Sequence, residues 1–591
     1  MDTIIGIDLG TTNSEVAIVR DGVPVVLTDD DGDAILPSVV GIDPQGKLLV
    51  GKAARNQLAL APDRTVRSIK RKMGREETVA LGDRNYTPQE ISAIILRTLK
   101  QRAEKSLGHE VKKAVITVPA FFTEGQREAT RMAGELAGLE VARIINEPTA
   151  AVLTYDPYPP ERERLLVYDL GGGTFDVSIA QVEDGVVEIL ASHGDTQLGG
   201  DDFDQRLLDL VSLRFKTKHN IDLRESPMTR GRLLRAVEDA KKTLSFEGVA
   251  KIEEEFIAEG KGVPLHLREE IDRTDYEDLI EPLLARTLAC VDRALTDAKL
   301  QAPQIDKVLL VGGATRTPMV HRLLHERLGR PVHSEIEPDL AVALGAAVQG
   351  GLIAGVDVGP VLVDITPHTL GISSLGELHG MISPHQFSPI IERNTPLPAT
   401  RTEIFQTAVD GQEAAEIRVF QGEHEDTRLN TLVGEFLIEG LADVESGNPI
   451  VVRLDLDLNG ILKVTATERR TGLARSVTID NAMERFRRRE RLDAIERLDA
   501  VFAGSEVPIA AEAVEAEPED DLQPTLREAI GTAGALLAKA QKVLPSANND
   551  DATELAALLS DLKAALDRRS EQDIKRVSAE LEDLVFYLED R

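Results

Sequence analysis

The chain has 591 residues, 42% of them hydrophobic, more than one core can use, because single cores stop growing at roughly 250–300 residues; on the order of two to four domains is expected. Asp and Glu number 101 against 68 Lys and Arg, and a formal net charge of −33 repels nucleic-acid phosphates, which excludes nucleic acid as a general partner. Cys290 is the only cysteine and the 11 histidines show no ligand-like spacing, so an internal disulfide and a cysteine-rich or structural zinc site are excluded, and a reducing, cytoplasmic setting is expected.

The opening MDTIIGIDLG sets Asp2 and Asp8 around a short apolar run, unlike the basic start and longer apolar stretch of a secretory leader, so export is not expected. Residues 4–19, IIGIDLGTTNSEVAIV, are echoed at 165–182 by LLVYDLGGGTFDVSIAQV. Each reads as a β-hairpin around a glycine-bearing turn, and the repeat implies two similar half-domains. The strand AVITVPAFF precedes a helical pattern at 124–137, and KVLLVGGATRTP at 307–318 is another strand-to-helix junction; together they predict α/β architecture to about residue 355. The most apolar stretch, 341–363, is broken by Gln349, Asp357 and Pro360, too often for the roughly 20 apolar residues of a membrane helix. It predicts a buried helix followed by a linker.

Strand-like runs at 404–408 and 416–420 flank an Asp410-Gly411 turn signal. Residues 451–467, VVRLDLDLNGILKVTAT, predict a hairpin on a type I′ Asn459-Gly460 turn, so 366–480 reads as all-β. From Met483 onward Leu492, Ile495 and Leu498 recur at helical spacing, as do Leu555, Leu558, Leu559 and Leu562. Between these helices, 504–524 carries Pro508, Pro518, Pro524 and an acidic run at 517–521, and reads as a flexible connection.

Turns built from small residues present backbone N–H groups and hydroxyls to phosphate, which makes Gly10, Thr11, Thr12 and Asn13 one cradle and Gly171, Gly172, Gly173 and Thr174 its counterpart. Each follows an aspartate at a strand end, Asp8 and Asp169, and carboxylates so placed hold hydrated Mg²⁺ against a triphosphate. A single glycine turn after a strand is more often only a turn; the paired repeat with matching acids reverses that balance.

Together IDLGTTNS, VYDLGGGTFD, INEPTAA and LVGGATRTP resemble the signatures of the DnaK-type seventy-kilodalton heat-shock chaperones, over most of the first 480 residues. The resemblance implies a multidomain protein: an α/β actin-like two-lobed ATPase domain at 1–355, an interdomain linker at 356–365, an all-β sandwich peptide-binding domain at 366–480 and a short α-helical lid at 481–591. It implies a weak ATPase with ATP or ADP, Mg²⁺ and K⁺ in the cleft. It assigns Lys70, in SIKRKMG, as the cation near the transferring phosphate, where it offsets developing charge; without it Lys70 reads as one charge in the solvated run 67–75. Glu147, with Asp169 and Asp176, would orient the attacking water and bound cations, against the plainer role of a helix-start acid. Thr174 would contact the γ-phosphate. Gly199 and Gly200 resemble a further phosphate turn, with Asp201 where glutamate is usual. Glu238, Lys241, Lys242 and Ser245 lie at helical spacing and are assigned to adenosine with Gly312, Gly313, Arg316 and Asp339, Arg316 stacking on adenine.

By the same resemblance Pro119 and Arg127 belong to a relay between domains, where sequence alone prefers a strand-end proline and a surface arginine. Residues 361–364, VLVD, ending in Asp364, are the apolar linker, and Arg143 and Asn146 are where a J-domain cochaperone docks; the need for a nucleotide-exchange factor stays open. Ile372, Ser374, Leu375, Phe405, Ala408, Ala415 and Ile417 map onto a groove for extended, unfolded polypeptide. Ala415 and Ser374 stand where a bulkier aliphatic and threonine are usual. The loop MISPHQFSPIIERNTPLP is longer than in the general chaperone; FSPIIERNT and the short connection 75–88 resemble the HscC subgroup. A cytoplasmic monomer without membrane attachment is expected. Two other readings compete. A small-molecule kinase on the same fold needs a base beside a sugar pocket and no β-domain, and an actin-like filament protein predicts a chain ending near residue 350.

Overall fold

The computed structural model describes residues 3–155, 161–330, 332–333, 337–356, 358–479 and 488–503, with single positions at 558, 562, 577, 578 and 581. The chain divides into a unit over Met1–Val507 and a second over Pro508–Arg591. The 504–524 connection lies outside the described residues; of the second helical pattern, Leu558 and Leu562 are described and are helical.

Both duplicated segments form antiparallel hairpins. Ile4–Leu9 pairs with Asn13–Arg20, with Asp8 opposite Glu15, and Glu163–Leu170 pairs with Phe175–Glu183, with Asp169 opposite Asp176. A parallel strand joins each on the far side, Lys113–Val118 in the first lobe and Lys307–Val311 in the second, and each sheet reaches six strands. Helices cover both faces of such parallel-containing sheets, so their strands read as near-continuous apolar runs; Ile5, Ile7, Leu166 and Val167 are fully buried. The helix Pro88–Leu107 begins with a Thr87/Glu90 capping box, ends on left-handed Gly108, and buries Ile91, Ile94, Ile95 and Leu99 in the first core. The helix Ala341–Ile353 packs against both Ile4–Leu9 and Glu147–Val152, and a Cβ on Gly345 would stand 1.7 Å from Ala150 O.

Residues 361–363 continue the second lobe's sheet: the strand Val361–Val363 pairs in parallel with Val186–Asp195, Val186 opposite Val361. Beyond it two four-stranded sheets share one core that includes Ile372, Ile417, Val419, Val452, Leu454 and Val464. The strands flanking the Asp410-Gly411 turn, Ala399–Gln406 and Ala414–Gln421, enter different sheets, so the chain crosses between the sheets there. Two local expectations are corrected. The hairpin at 451–467 closes with Leu456 opposite Leu462 on a five-residue loop, where only Gly460 has positive φ and Asp457 Oδ1 accepts the N–H groups of Asn459 and Ile461. A two-residue type I′ turn would need both positions left-handed; the aspartate instead organises the loop from its start. The segment read as a long loop is an eleven-residue strand, Met381–Ile391, paired with Leu370–Leu378.

The helix Arg488–Ala503 packs on the first lobe and not on the β-sheets. Ala494, Leu498 and Phe502 join the core under Pro88–Leu107, while Leu492, first of the expected apolar stripe, stays exposed. Arg497 Nη2 meets Glu90 Oε1 at 2.6 Å and Arg97 Nη1 meets Asp499 Oδ1 at 2.5 Å. A fully buried large apolar side chain contributes about 1.5–3 kcal/mol. Leu498 and Phe502 therefore outweigh the exposed Arg97–Asp499 pair, worth about 0–1 kcal/mol, while Arg497 supplies a countercharge to the buried Glu90 carboxylate. Among the described residues no helix is long and apolar enough to cross a membrane.

Candidate nucleotide cleft and polypeptide groove

The two hairpin turns face each other. Ser14 Oγ accepts the Gly10 N–H at 3.1 Å and Ser38 Oγ donates to Gly10 O at 2.8 Å, pinning the first turn; the second closes through Gly171 N–H to Thr174 O at 3.1 Å. Their approach leaves no room for side chains. A Cβ on Gly172 would lie 1.8 Å from Thr12 Oγ1, and Gly312, at φ +82°, places its missing Cβ 2.5 Å from Leu170 O.

A cavity of roughly 80 Å³ lies between the turns, lined by Asp8, Glu15, Lys70, Glu147, Asp169 and Thr174. Its walls come from Gly10, Thr11, Thr12 and Asn13 on one side and from Gly171, Gly172, Gly312, Gly313 and Asp339 on the other. Lys70 is 2% exposed, paired through Nζ with the Glu147 carboxylate, so it is not part of a solvated run. Asp8 accepts from Thr117 Oγ1 at 2.8 Å, yet burial, and then Glu147, push its carboxyl up to about 7. Burial raises Asp169 well above the carboxylate range, with Glu147, Asp176 and Asp8 adding repulsion, and burial raises Glu15 with Asp8 adding to it. Five carboxyls, Asp339 among them, thus share the cavity with one ammonium, an imbalance that a divalent cation reduces. Thr12 Oγ1, buried and without a protein partner, is a free group aimed at the same space. Acids, free hydroxyl and backbone turns together fit a magnesium-bound polyphosphate.

A second cavity, roughly 350 Å³, adjoins it. Glu238, Lys241, Lys242 and Ser245 line it from the helix Pro227–Phe246, with Gly200, Gly313, Arg316 and Asp339 opposite. Against the upward push of burial, Lys242 and Arg55 hold the Glu238 carboxyl down to about 2. Arg316 Nη2 bonds Asp339 at 2.7 Å and Glu337 at 3.1 Å, which fixes its guanidinium at the edge of the cavity. Ile35, Phe246 and Ala314 supply apolar surface that the sequence did not single out.

Three arginines of the first lobe reach carboxylates of the second. Arg55 Nη2 meets Glu238 at 2.6 Å, Arg67 Nη2 meets Asp201 at 2.7 Å, and Arg71 Nη2 meets Asp202 at 2.5 Å. Ser68, held at φ +52°, donates its hydroxyl to Asp201 at 2.6 Å. Asp201 therefore ties the lobes together and lines neither cavity; Gly173 and Gly199 also lie off both, behind the turns. Local sequence offered only the basic run 67–75 as a sign of these ties, because their partners lie more than 130 positions away.

Asp176 departs from its expected place beside the metal. It does not line the cavity, and its Oδ1 accepts the Phe121 N–H at 3.0 Å. From there a buried path runs outward. Pro119 O accepts the Phe122 N–H; Arg127 Nη2 donates to Ala120 O at 2.9 Å and to Asn146 Oδ1 at 2.6 Å; Asn146 Nδ2 donates to Asp364 Oδ2 at 3.0 Å. Arg127 is not a surface arginine: burial lowers its pKa, and Glu124 and Asp364 oppose that. Asn146, 4% exposed, is closed to any partner in this arrangement, and Arg143 keeps a buried Nε without a hydrogen bond. At the same junction His368 Nε2 lies 3.1 Å from Phe121 O, and the Phe121 ring lies between those of His193 and His368 at centroid distances of 4.9 and 4.4 Å.

In the β-sheets, Ile372, Ser374, Leu375, Phe405, Ala408, Ala415 and Ile417 all line one cavity of roughly 820 Å³. Ser374 Oγ lies 2.7 Å from Ser388 Oγ, so the small residue at 374 is tied down within the sheet.

Over residues 4–81 and 76–590 the sequence matches the Hsp70 protein family. It is similar to the chaperone protein DnaK of Thermotoga neapolitana, 47% identical over 484 residues that cover 80% of each chain. The proteins of that name from Thermotoga petrophila and Thermotoga maritima match at the same identity and coverage. With the paired acidic turns, the cleft between two lobes and the β-sheet cavity beyond the linker, these matches show that the chain belongs to the Hsp70 family.

Proposed function

We propose that this ATPase and ATP-dependent molecular chaperone binds MgATP across the two facing turns and transmits its nucleotide state through the Asp176–Asp364 path to the β-sheet cavity, which holds extended segments of unfolded polypeptide. The observation that carries this reading is the cavity where Asp8, Glu147, Asp169 and Lys70 meet between the duplicated turns. Asp8 and Asp169 would hold Mg²⁺ through its water shell, and the bound ion would neutralise and polarise the phosphates. Lys70 sits to stabilise charge developing on the transferring phosphoryl group, Glu147 to orient the attacking water, and Thr174 to contact the terminal phosphate. K⁺ would complete the cation set. Glu238, Lys241, Lys242, Ser245 and Arg316 would bind adenosine in the adjoining cavity.

Boundaries at residues 355, 365 and 480 separate the ATPase, linker, client and lid parts of this scheme. Because the helix Arg488–Ala503 packs on the first lobe, that helix leaves the 820 Å³ cavity uncovered, which suits the fast-exchanging form. The FSPIIERNT wording and the short 75–88 connection support the specialised HscC-type subgroup, with a J-domain cochaperone as partner and the cytoplasm as location. Dissociation rates of a labelled unfolded peptide, measured with ATP and with ADP, test the scheme. Fast release with ATP and slow release with ADP are expected, and Lys70→Ala should release fast with ATP but fail to pass into slow trapping. Equal rates with both nucleotides would refute the coupling.

A further inference from the structure

The strand Met381–Ile391 lengthens the hairpin at one wall of the β-sheet cavity. His379 and Gly380, both at positive φ (53° and 80°), make its two-residue turn, and Leu378 closes against Met381. Of the ladder's two register shifts, the one nearer the tip is a bulge where Leu375 stands opposite Pro384 and His385, between the pairs Ser374–Gln386 and Gly376–Ser383. A Cβ on Gly376 would fall 1.9 Å from Gln386 Oε1, and His385 O accepts from Thr427 Oγ1 at 3.1 Å, so the bulge is held from both sides. Leu375, Pro384 and His385 all line the cavity, which makes the bulge the point where cavity and hairpin tip join.

Beyond the bulge the tip carries apolar side chains in water: Met381 is 71% and Ile382 80% exposed, following Leu375 at 59%. Ile382 lies opposite Glu377, two residues along the strand from Leu375, and so on its side of the pleat. Met381, opposite Leu378, falls on the other side of the pleat; at about 3.3 Å per residue the Ile382 pair stands about 7 Å past Leu375, a step of about two residues of an extended chain.

We propose that the hairpin tip is a second anchoring site for the client, in which Ile382 binds an apolar residue about two positions from the one seated in the cavity. The reading rests on the cavity being the polypeptide groove. Continuity through Leu375, Pro384 and His385 favours an extended chain leaving the cavity. Pro384 and the bulge spoil the strand edge for pairing with a second copy, and a net charge of −33 disfavours an anionic lipid surface. The consequence is a preference for clients with two spaced apolar positions rather than one.

The test measures affinity in ADP by fluorescence anisotropy with two labelled peptides, one of about seven residues with a single leucine and one of about twelve with a second leucine two positions on. The unmodified protein should bind the longer about fivefold tighter. Ile382→Ser should erase that gain and leave the shorter peptide's affinity unchanged, while Ile382→Leu, and Met381→Ser on the other face, should keep it. A gain that survives Ile382→Ser, or equal affinity of the unmodified protein for both peptides, overturns the proposal. So does an equal loss for both peptides, which would mark Ile382 as scaffold. If the unmodified protein binds neither peptide, the groove reading itself fails.

Discussion

The nucleotide cleft and the polypeptide groove solve opposite recognition problems with opposite materials. The cleft is made of backbone brought into contact, with glycines where no Cβ fits and carboxyls crowded until burial raises Asp8 to about 7. The groove is roughly ten times larger, 820 against 80 Å³, and sets the apolar Ile372, Leu375, Phe405 and Ile417 among polar side chains such as Ser374, Thr407 and Gln412 whose hydrogen bonds are spent within the sheets. One ligand of fixed charge rewards pre-aimed donors, whereas chains of many sequences share only extended backbone and apolar side chains. Rigidity therefore belongs to the first region and tolerance to the second.

The sharpest way to break this contrast is Lys70→Ala. It removes the ammonium that faces five carboxyls in the cavity, so single-turnover ATP hydrolysis should fall about 10²–10³-fold while peptide affinity in ADP stays within about twofold. A comparable fall in peptide affinity would mean that the two regions are not separable. Next comes the path between them. Arg127→Ala leaves Asn146 Oδ1 and Ala120 O without the buried donor they share, and the acceleration of peptide release by ATP should drop about tenfold, with basal hydrolysis nearly unchanged.

Docking of the β-sheets on the first lobe should also respond to acid through His368. Burial holds its imidazole down to about 4, with Phe121 O opposing and Arg127 and His193 adding to the depression; His193 is itself lowered by burial, with Arg293 and Arg393 adding to that and Asp297 and Glu423 opposing. Freed into water, His368 returns to about 6.5, so the undocked form binds the extra proton. Docking is complete above that value and weakens as pH falls toward 4; between pH 7.5 and 5.5 the equilibrium should shift about tenfold. Protease cleavage near Val361 reads the shift, and His368→Leu should flatten it. The smallest effect is expected at the cleft mouth, where Arg67→Ala removes one of three arginine–carboxylate pairs across the lobes and should speed ADP release about threefold in stopped flow. No change would assign closure to Arg55 and Arg71.

Much of the cleft was legible because its chemistry is local. Asp8 and Asp169 precede their turns in the chain, and the duplicated wording placed them before any contact was known. Asp176, the matching acid of the second hairpin, stands just off the cavity with its Oδ1 on the Phe121 N–H while still repelling Asp169, a placement the motif alone did not show. Glu15 was passed over although an acid inside the apolar run SEVAIV is itself a sign of a buried site. The Asn459-Gly460 signal failed because Asp457, two residues earlier, organises a longer loop.

By itself the sequence determined the two repeated turns, the acids that precede them, the alternation of the β-region and the helical spacing after it, since each depends on neighbours within a few positions. Tertiary structure decided which arginines tie the lobes, that Val361–Val363 completes the second lobe's sheet, and that Arg488–Ala503 rests on the first lobe. It also decided that an apparent loop is a strand. Those outcomes depend on charges and apolar faces far apart in the chain, and only the folded packing brings them within reach of one another.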